Sequence, residues 1–340
     1  MSCTNPIRAY NVGTNPDTGK AILLFPPKDK NKNKNNSFVN PCVDIVELPC
    51  GKCTHCRLTY SKEWMQRCML EEKAWQYNEM LTLTYDDEHV PKTYGIDSET
   101  GEVLTDKVNT LCKKDVQEFL KRLRRQWEYK YGEDNIRFFM CGEYGEKFGR
   151  PHYHLLMFNF NVRDKKFYKK SQKGFDMYHS QIIEDIWGKG HIELNDITPE
   201  TCAYVARYVL KKQKGKGSKD YYLSQGKVPE FTNCSRKPGI GYYYYEDNKE
   251  KMYEFDKVHL VNSKGIQTLK PAKYYDRLFD AEYTERMQSI KEARKRLAER
   301  RQETADALSG LTREQQMEYK ANAIKESVKY LQRGYEITGI

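Results

Sequence analysis

The stretch RPHYHLLMF, residues Arg150–Phe158, opens with spaced histidines and continues into an apolar run, a pattern that predicts a buried β-strand. Side chains on a strand alternate between its two faces, so His152 and His154 are predicted on one face and Tyr153 on the other. The two imidazoles are then about 7 Å apart along the chain, close enough to share one metal ion. Two structural histidines, each held by hydrogen bonds, are the alternative that so short a motif leaves open.

The preceding segment, NIRFFMCGEYG (residues 135–145), predicts a second strand. The connection that follows it is short and contains Gly149, so the two strands are predicted to form an antiparallel hairpin. Glu143 can then reach the face that carries the histidines and complete a His, His, carboxylate set, with Glu146 as the rival carboxylate. Mixed nitrogen and oxygen ligation of this kind suits Mg²⁺ or Mn²⁺ and leaves positions open for a phosphate.

The segment TPETCAYVARYVLKK (residues 198–212) predicts a helix, because Thr198 is a favoured N-cap and Pro199 a favoured first helical residue. Its two tyrosines, four residues apart, share one helix face, and a cation follows each of them by three residues. These residues are Tyr204, Arg207, Tyr208 and Lys211. A phenol with its ordinary pKa of about 10 is a poor nucleophile, but a metal ion on the attacked phosphate and neighbouring cations relieve that difficulty. Tyrosines that only pack or bind bases are the alternative.

The order of helical and strand patterns predicts one α+β domain with additions on both sides. Helices are predicted over 61–74, with Ser61 as cap, and over 112–132 and 181–187; strands are predicted over 78–91 and 190–197. We divide the chain into a basic loop and Cys-rich segment (1–74), an α+β core (75–215), a basic Tyr-rich extension (216–278) and a charged helical tail (279–340).

The overall charge favours an acidic polymer as partner. The chain has 340 residues, a net charge of +10 and 26 tyrosines, and tyrosine rings on a basic surface suit unstacked bases. A basic soluble enzyme is the alternative. No signal peptide is apparent and no run approaches about 18 apolar residues, so we expect a cytoplasmic protein without a membrane span.

Six cations are candidate DNA contacts. Four lie on the polar side of the helix predicted over 112–132, and two lie in SRKPGIGYYYY (residues 235–245), which we interpret as a strand with exposed tyrosine rings. They are Lys121, Arg122, Arg124, Arg125, Arg236 and Lys237. A helix face that is merely solvated, and an aromatic strand that buries one side, are the alternatives.

Four cysteines lie close together in sequence: Cys42, Cys50, Cys53 and Cys56. Four thiolates at this spacing can hold a structural Zn²⁺, with His55 as a substitute ligand. Unmetallated thiols and an iron–sulfur cluster are alternatives, although the Cys followed by Pro of a ferredoxin-like motif is absent.

Three segments occur in the order of a known set of motifs. LTLTY (81–85), RPHYHLLMF and YVARYVLK (204–211) resemble the motifs of the HUH endonuclease superfamily of rolling-circle replication initiators. The segments PCGKCTHCR (49–57), CGEYGEKFGRPHYH (141–154) and SRKPGIG (235–241) resemble the initiators of gokushovirus-type microviruses. The resemblance spans roughly residues 40 to 245.

The resemblance implies an antiparallel sheet of about five strands with the tyrosine helix packed near it. It implies that His152 and His154 bind a divalent ion, with Glu143 as third ligand. Tyr204 or Tyr208 would attack single-stranded or supercoiled viral origin DNA, leaving a 5′-phosphotyrosine and a free 3′-OH that a host polymerase extends. No Gly-x-x-x-x-Gly-Lys-Ser/Thr motif is present, so a host helicase is expected to unwind the DNA. A transposase or relaxase of the same superfamily, and a non-catalytic nucleic-acid-binding protein with structural zinc, are the alternatives.

Overall fold

The structure is a computed structural model of two compact units. It describes residues 3–16, 21–26, 44–97, 99–132, 135–145, 148–171, 174–207, 217–262 and 265–332. The smaller unit contains the described residues of Met1–Arg57 and Ala298–Lys329, and the larger unit contains those of Leu58–Leu297. The four-part division made from the sequence remains a prediction.

A seven-stranded sheet, antiparallel throughout, forms the larger unit's centre. Its strands, in spatial order, are β12 (Phe231–Cys234), β7 (Arg137–Tyr144), β8 (Pro151–Phe158), β4 (Asn78–Thr84), β11 (Ile192–Asp196), β10 (Asp176–His179) and β9 (Lys166–Lys170). The predicted α+β class and the β7–β8 hairpin are confirmed. The sheet is wider than the expected five strands because β9, β10 and β12 are short and show no clear apolar alternation in the sequence.

Nine helices are present in the part of the chain that the structure describes. They are α1 (Thr54–Glu72), α2 (Lys113–Tyr131), α3 (Gln181–Trp187), α4 (Pro199–Arg207), α5 (Ser218–Ser224), α6 (Tyr242–Glu254), α7 (Lys273–Glu282), α8 (Thr284–Ser309) and α9 (Arg313–Gln332). Side chains of α8 are largely exposed, as expected of a charged helical tail. Within the described residues, no helix is both long enough and apolar enough to cross a membrane.

Smaller sheets complete the fold. The smaller unit contains a sheet of order β2–β1–β3, and the larger unit contains the hairpins β5–β6 and β13–β14. These strands are β1 (Ile7–Thr14), β2 (Ala21–Leu24), β3 (Asp44–Leu48), β5 (Lys92–Ile96), β6 (Val103–Asn109), β13 (Val258–Asn262) and β14 (Gly265–Leu269).

The central sheet separates two apolar cores, and β8 contributes to both. Tyr153 packs with α2 and α3 on one face, whereas Leu156 and Phe158 pack with α1, α4, α6 and α7 on the other. His152 and His154 share the parity of Leu156, so they belong to the second face. The predicted separation of the two histidines from Tyr153 is therefore confirmed.

Two local predictions were wrong. The first helix begins at Thr54 rather than at Ser61, and Ser61 is buried inside it, because the intervening residues contain no glycine or proline to interrupt the helix. The tyrosine run begins helix α6 rather than forming a strand. Gly241, at φ +84°, turns the chain into this helix, and Tyr245 is fully buried in the second core instead of alternating with exposed rings.

Candidate metal centre beside the tyrosine helix

The register of the central strands gathers three side chains at one point. On β7 and β8, Glu143 pairs with His152, and on β4 and β8, Thr82 pairs with His154. Directly paired side chains on one sheet face have their Cβ atoms about 4.5–5.5 Å apart, within reach of each other's functional groups. The hairpin predicted from the sequence therefore places Glu143 beside both histidines.

The three side chains converge on one carboxylate oxygen. Glu143 Oε1 lies 2.8 Å from His152 Nε2 and 3.1 Å from His154 Nε2. Their candidate ligand atoms all lie within 4.8 Å of one another. Glu143 and His154 are buried, whereas the His152 side chain is 14% exposed, so the group opens to solvent at His152.

The hydrogen bonds of the outer ring nitrogens fit a metal-binding group. His152 Nδ1 lies 3.2 Å from the Arg150 carbonyl oxygen, which only accepts hydrogen bonds, so Nδ1 carries the proton. A neutral His152 then directs the lone pair of Nε2 at the Glu143 carboxylate, an arrangement that requires a proton or a cation between them. His154 Nδ1 is likewise held by Thr82 Oγ1 at 3.0 Å. Metal-binding histidines are usually oriented in this way, through a hydrogen bond of the other nitrogen.

The charge of the carboxylate is preserved despite its burial. Burial by itself raises the pKa of Glu143, but the hydrogen bonds and positive charge of His152 and His154 outweigh it and hold that pKa far below its ordinary value. Glu143 therefore remains an anion at neutral pH. Two imidazoles and one carboxylate are a donor set that fits a divalent ion, while the rival Glu146 lies outside the described residues.

The tyrosine helix α4 starts as the sequence predicted. The Thr201 amide donates to Thr198 Oγ1 at 3.1 Å, and the Thr198 amide donates to Thr201 Oγ1 at 2.8 Å. Helix α4 packs on the second face, where the Tyr204 ring centre lies 5.2 Å from that of His154. The structure thus brings the helix to the metal-binding group, as the resemblance implied.

Other residues of the catalytic prediction are placed only in part. The Arg207 side chain donates from Nε to the Ala203 carbonyl at 3.1 Å, one turn earlier in α4. Tyr208 and Lys211 lie outside the described residues.

The predicted DNA-contacting cations of α2 lie on the other side of the sheet from the histidines, because α2 belongs to the first core. Arg122 donates to the Ile186 carbonyl at 3.0 Å and Arg124 to the Ile136 carbonyl at 2.9 Å. Both guanidinium groups therefore also fasten neighbouring segments, whereas Lys121 and Arg125 are exposed. The remaining pair, Arg236 and Lys237, are exposed in the loop after β12.

Sequence reasoning assigned no role to several residues that the structure singles out. Thr82 lies in the LTLTY motif, and its position opposite His154 follows only from the strand register. On the edge strand β9, Phe167 and Tyr168 are 60% and 61% exposed among lysines. Cys3 joins the cysteine group, and Cys42 lies outside the described residues.

Comparison with known proteins identifies the class. The family model of the replication-associated protein ORF2 matches residues 78–213, a range that contains Glu143, both histidines and all of α4. No solved structure matches the chain.

Three curated relatives come from small phages. The replication-associated protein ORF2 of Spiroplasma virus 4 is 34% identical over 304 residues, which cover 88% of each chain. The replication-associated protein VP4 of Bdellovibrio phage phiMH2K is 33% identical over 232 residues, or 67% of this chain and 66% of its own. The replication-associated protein ORF4 of Chlamydia phage 1 is 32% identical over 169 residues, or 48% of this chain and 38% of its own. The chain belongs to this family of phage replication-associated proteins, which confirms its resemblance to the initiators of gokushovirus-type microviruses.

Proposed function

We propose that this protein starts replication by cutting one strand of the viral origin with a tyrosine, at a divalent ion held by Glu143, His152 and His154. The observation that carries the proposal is the convergence of these three side chains within 4.8 Å, beside a helix whose Tyr204 ring contacts His154. Membership of a family of replication-associated proteins supports the biological role.

The chemistry is the transfer of a phosphoryl group from DNA to protein. The phenolic oxygen of Tyr204 or Tyr208 attacks the phosphorus, the bond from phosphorus to the 3′ oxygen breaks, and the phenol's proton ends on the released 3′-OH. The product is a 5′-phosphotyrosine, and a host polymerase extends the 3′-OH. The other tyrosine later attacks the regenerated origin, and the 3′-OH so released rejoins the first strand. Each step exchanges one phosphodiester bond for another, so no nucleotide cofactor is required.

Each predicted residue has a role in this scheme. A bound Mg²⁺ or Mn²⁺ would neutralise charge on the attacked phosphate, and Glu143, His152 and His154 would hold and orient it. Arg207 and Lys211 would stabilise the phenolate and the transition state.

The DNA partner is single-stranded or supercoiled viral origin DNA in the cytoplasm of the bacterial host. Arg236 and Lys237, exposed after β12, and the exposed cations Lys121 and Arg125 on α2 would bind its backbone. Because α2 lies on the face away from the histidines, its cations would contact DNA that flanks the cut rather than the cut itself. A host helicase would separate the strands.

A nicking assay tests the proposal. Purified protein, Mn²⁺ and supercoiled viral circles are expected to give a nicked circle covalently attached to protein. His154→Ala is expected to abolish nicking, and the double variant Tyr204→Phe, Tyr208→Phe to abolish the adduct. Tyr319→Phe, at a residue 73% exposed on α9, is the matched control and should behave as wild type.

The assay also separates the alternatives. Unchanged nicking by the double tyrosine variant would contradict the tyrosine mechanism. A mobility shift with intact circles would instead identify a non-catalytic DNA-binding protein.

A further inference from the structure

Four cysteine thiols converge in the smaller unit, away in sequence from the proposed catalytic residues. Cys3 precedes β1, while Cys50, Cys53 and Cys56 lie where β3 gives way to α1. The Cys3 and Cys53 sulfurs are 3.8 Å apart, those of Cys50 and Cys56 are 4.0 Å apart, and all four lie within 4.8 Å of one another. None of the described cysteines forms a disulfide.

The spacing of the sulfurs is that of ligands around one tetrahedral ion. With zinc–sulfur bonds of about 2.3 Å, tetrahedral geometry places the sulfurs about 3.8 Å apart. A disulfide requires about 2.05 Å instead. Thiols in simple contact explain one such pair, but they do not explain four that all meet at one point.

The backbone supplies a second, independent observation. The amides of Lys52 and Cys53 lie 3.4 and 3.3 Å from Cys50 Sγ, and the amide of Cys50 lies 3.3 Å from Cys3 Sγ. Gly51, at φ +70°, permits the tight turn that directs these amides at sulfur. A neutral thiol is a weak acceptor, whereas a thiolate is a charged and stronger one. Four thiolates around a divalent ion keep a net negative charge, which such N–H groups stabilise.

Helix α1 adds to this stabilisation. It begins at Thr54, so Cys56 lies in its first turn, where the exposed amides and the helix dipole favour negative charge.

The smaller unit also has too small an apolar core to hold itself together. Among its described residues, the buried apolar side chains are Cys3 and Ala9, while Ile7, Ile22 and Ile45 on its sheet are between 43% and 62% exposed. Small units with little core usually depend on a disulfide or a structural metal.

We propose that Cys3, Cys50, Cys53 and Cys56 bind one structural Zn²⁺. A closed set of four thiolates selects zinc over the hard ions Mg²⁺ and Ca²⁺ and leaves no position for substrate. The ion would fasten the chain before β1 to the start of α1. Cys3 replaces Cys42 of the set inferred from sequence spacing, and His55 is not needed as a ligand.

The experiment is metal analysis of the reduced full-length protein, carried out in the His152→Ala, His154→Ala background so that zinc at the other centre does not contribute. One zinc per chain is expected, with Cys3→Ser reducing the zinc content at least tenfold and Cys42→Ser leaving it unchanged. Loss of zinc from Cys42→Ser together with its retention in Cys3→Ser would overturn the ligand set. Iron in place of zinc would overturn the ion.

A footprint on the unmutated cysteines covers the case in which Cys3→Ser fails to fold. Alkylation followed by peptide mass spectrometry is expected to leave Cys3, Cys50, Cys53 and Cys56 unmodified together and to label all four after chelation. Cys42 should be labelled in both states. Labelling of the four before chelation, or a zinc content near zero in protein reconstituted with Zn²⁺, would contradict the proposal. Neither measurement depends on DNA cleavage, so failure of the nicking assay leaves the zinc site unaffected.

Discussion

The imidazole of His154 and the phenol of Tyr204 meet edge to face, with their ring centres 5.2 Å apart and their planes at 77°. Both side chains are buried, so the contact fixes the start of the tyrosine helix against the sheet that carries the candidate metal ligands. A cation held by His154 would therefore have the aromatic side of α4 as its neighbour. This juxtaposition of an N/O ligand group with a tyrosine helix is the physical basis of the proposed cleavage.

Thr82 is predicted to control metal affinity without touching the metal. Its hydroxyl lies 3.0 Å from His154 Nδ1 and fixes the orientation of that ring. Thr82→Val keeps the shape of the side chain but loses this hydrogen bond, so Mn²⁺ affinity is expected to fall by about 10- to 100-fold. Electron paramagnetic resonance of unbound Mn²⁺ measures the affinity directly, without relying on activity.

A matched control for this variant lies two residues further along β4. Thr84→Val removes a hydroxyl that donates to the His191 carbonyl at 3.0 Å and makes no bond to either histidine. It should leave Mn²⁺ affinity near the wild-type value. Equal effects from the two variants would mean that Thr82 acts only through general stability.

The metal-binding group was predictable from sequence because it depends on local rules. Alternation along β8 places His152 and His154 together, and a short connection pairs that strand with Glu143. The role of Thr82 was not predictable, since it depends on which strand flanks β8 on its other side. Tyr204 approaches His154 only through packing of α4 on the sheet, and the sequence supplied this through family resemblance alone.

A buried ion pair is predicted to be essential for the stability of the larger unit. Glu71 of α1 accepts from the guanidinium of Arg137 on β7 and from the indole of Trp75, and both members of the pair are almost fully buried. Arg137 also donates to the Pro238 carbonyl at 2.9 Å. Glu71→Ala leaves a buried cation uncompensated and is expected to lower the free energy of unfolding by about 3–5 kcal/mol.

Urea denaturation followed by circular dichroism measures this loss. Glu118→Ala removes an exposed carboxylate that lies 3.7 Å from Lys114, and should cost less than about 1 kcal/mol. Two similar, small losses would show that the Glu71 pair contributes no more than a surface pair.

The four cations of α2 are predicted to divide into two functional classes. Lys121→Ala together with Arg125→Ala is expected to weaken binding of single-stranded DNA and to reduce the salt dependence by about 0.7 per lost phosphate contact, with little change in stability. Arg122→Ala is expected to lower stability as well, because its guanidinium holds the Ile186 carbonyl at 3.0 Å. Fluorescence anisotropy across a salt series gives the affinity and slope, and thermal unfolding gives the stability. An unchanged salt slope in the Lys121, Arg125 variant would remove this helix from the DNA-binding surface.

Tertiary contacts explain what the sequence did not reveal elsewhere. The carbonyl partners of Arg122 and Arg124 lie 64 and 12 residues away, so an amphipathic pattern shows these side chains only as polar. Cys3 is 47 residues from Cys50 and reaches it because β1 pairs with β3, with Ile7 opposite Leu48. Residue spacing along the chain favoured the nearer Cys42.

Identification of the residue that becomes bonded to DNA is the most direct measurement of the central claim. The covalent adduct formed with Mn²⁺ and origin DNA is digested with protease and nuclease, and the peptide that retains a nucleotide is sequenced by mass spectrometry. We predict a 5′-phosphoryl link on Tyr204 or Tyr208, formed only with metal and absent from His154→Ala. An adduct on any other residue, or one that forms equally well without His154, would contradict the account.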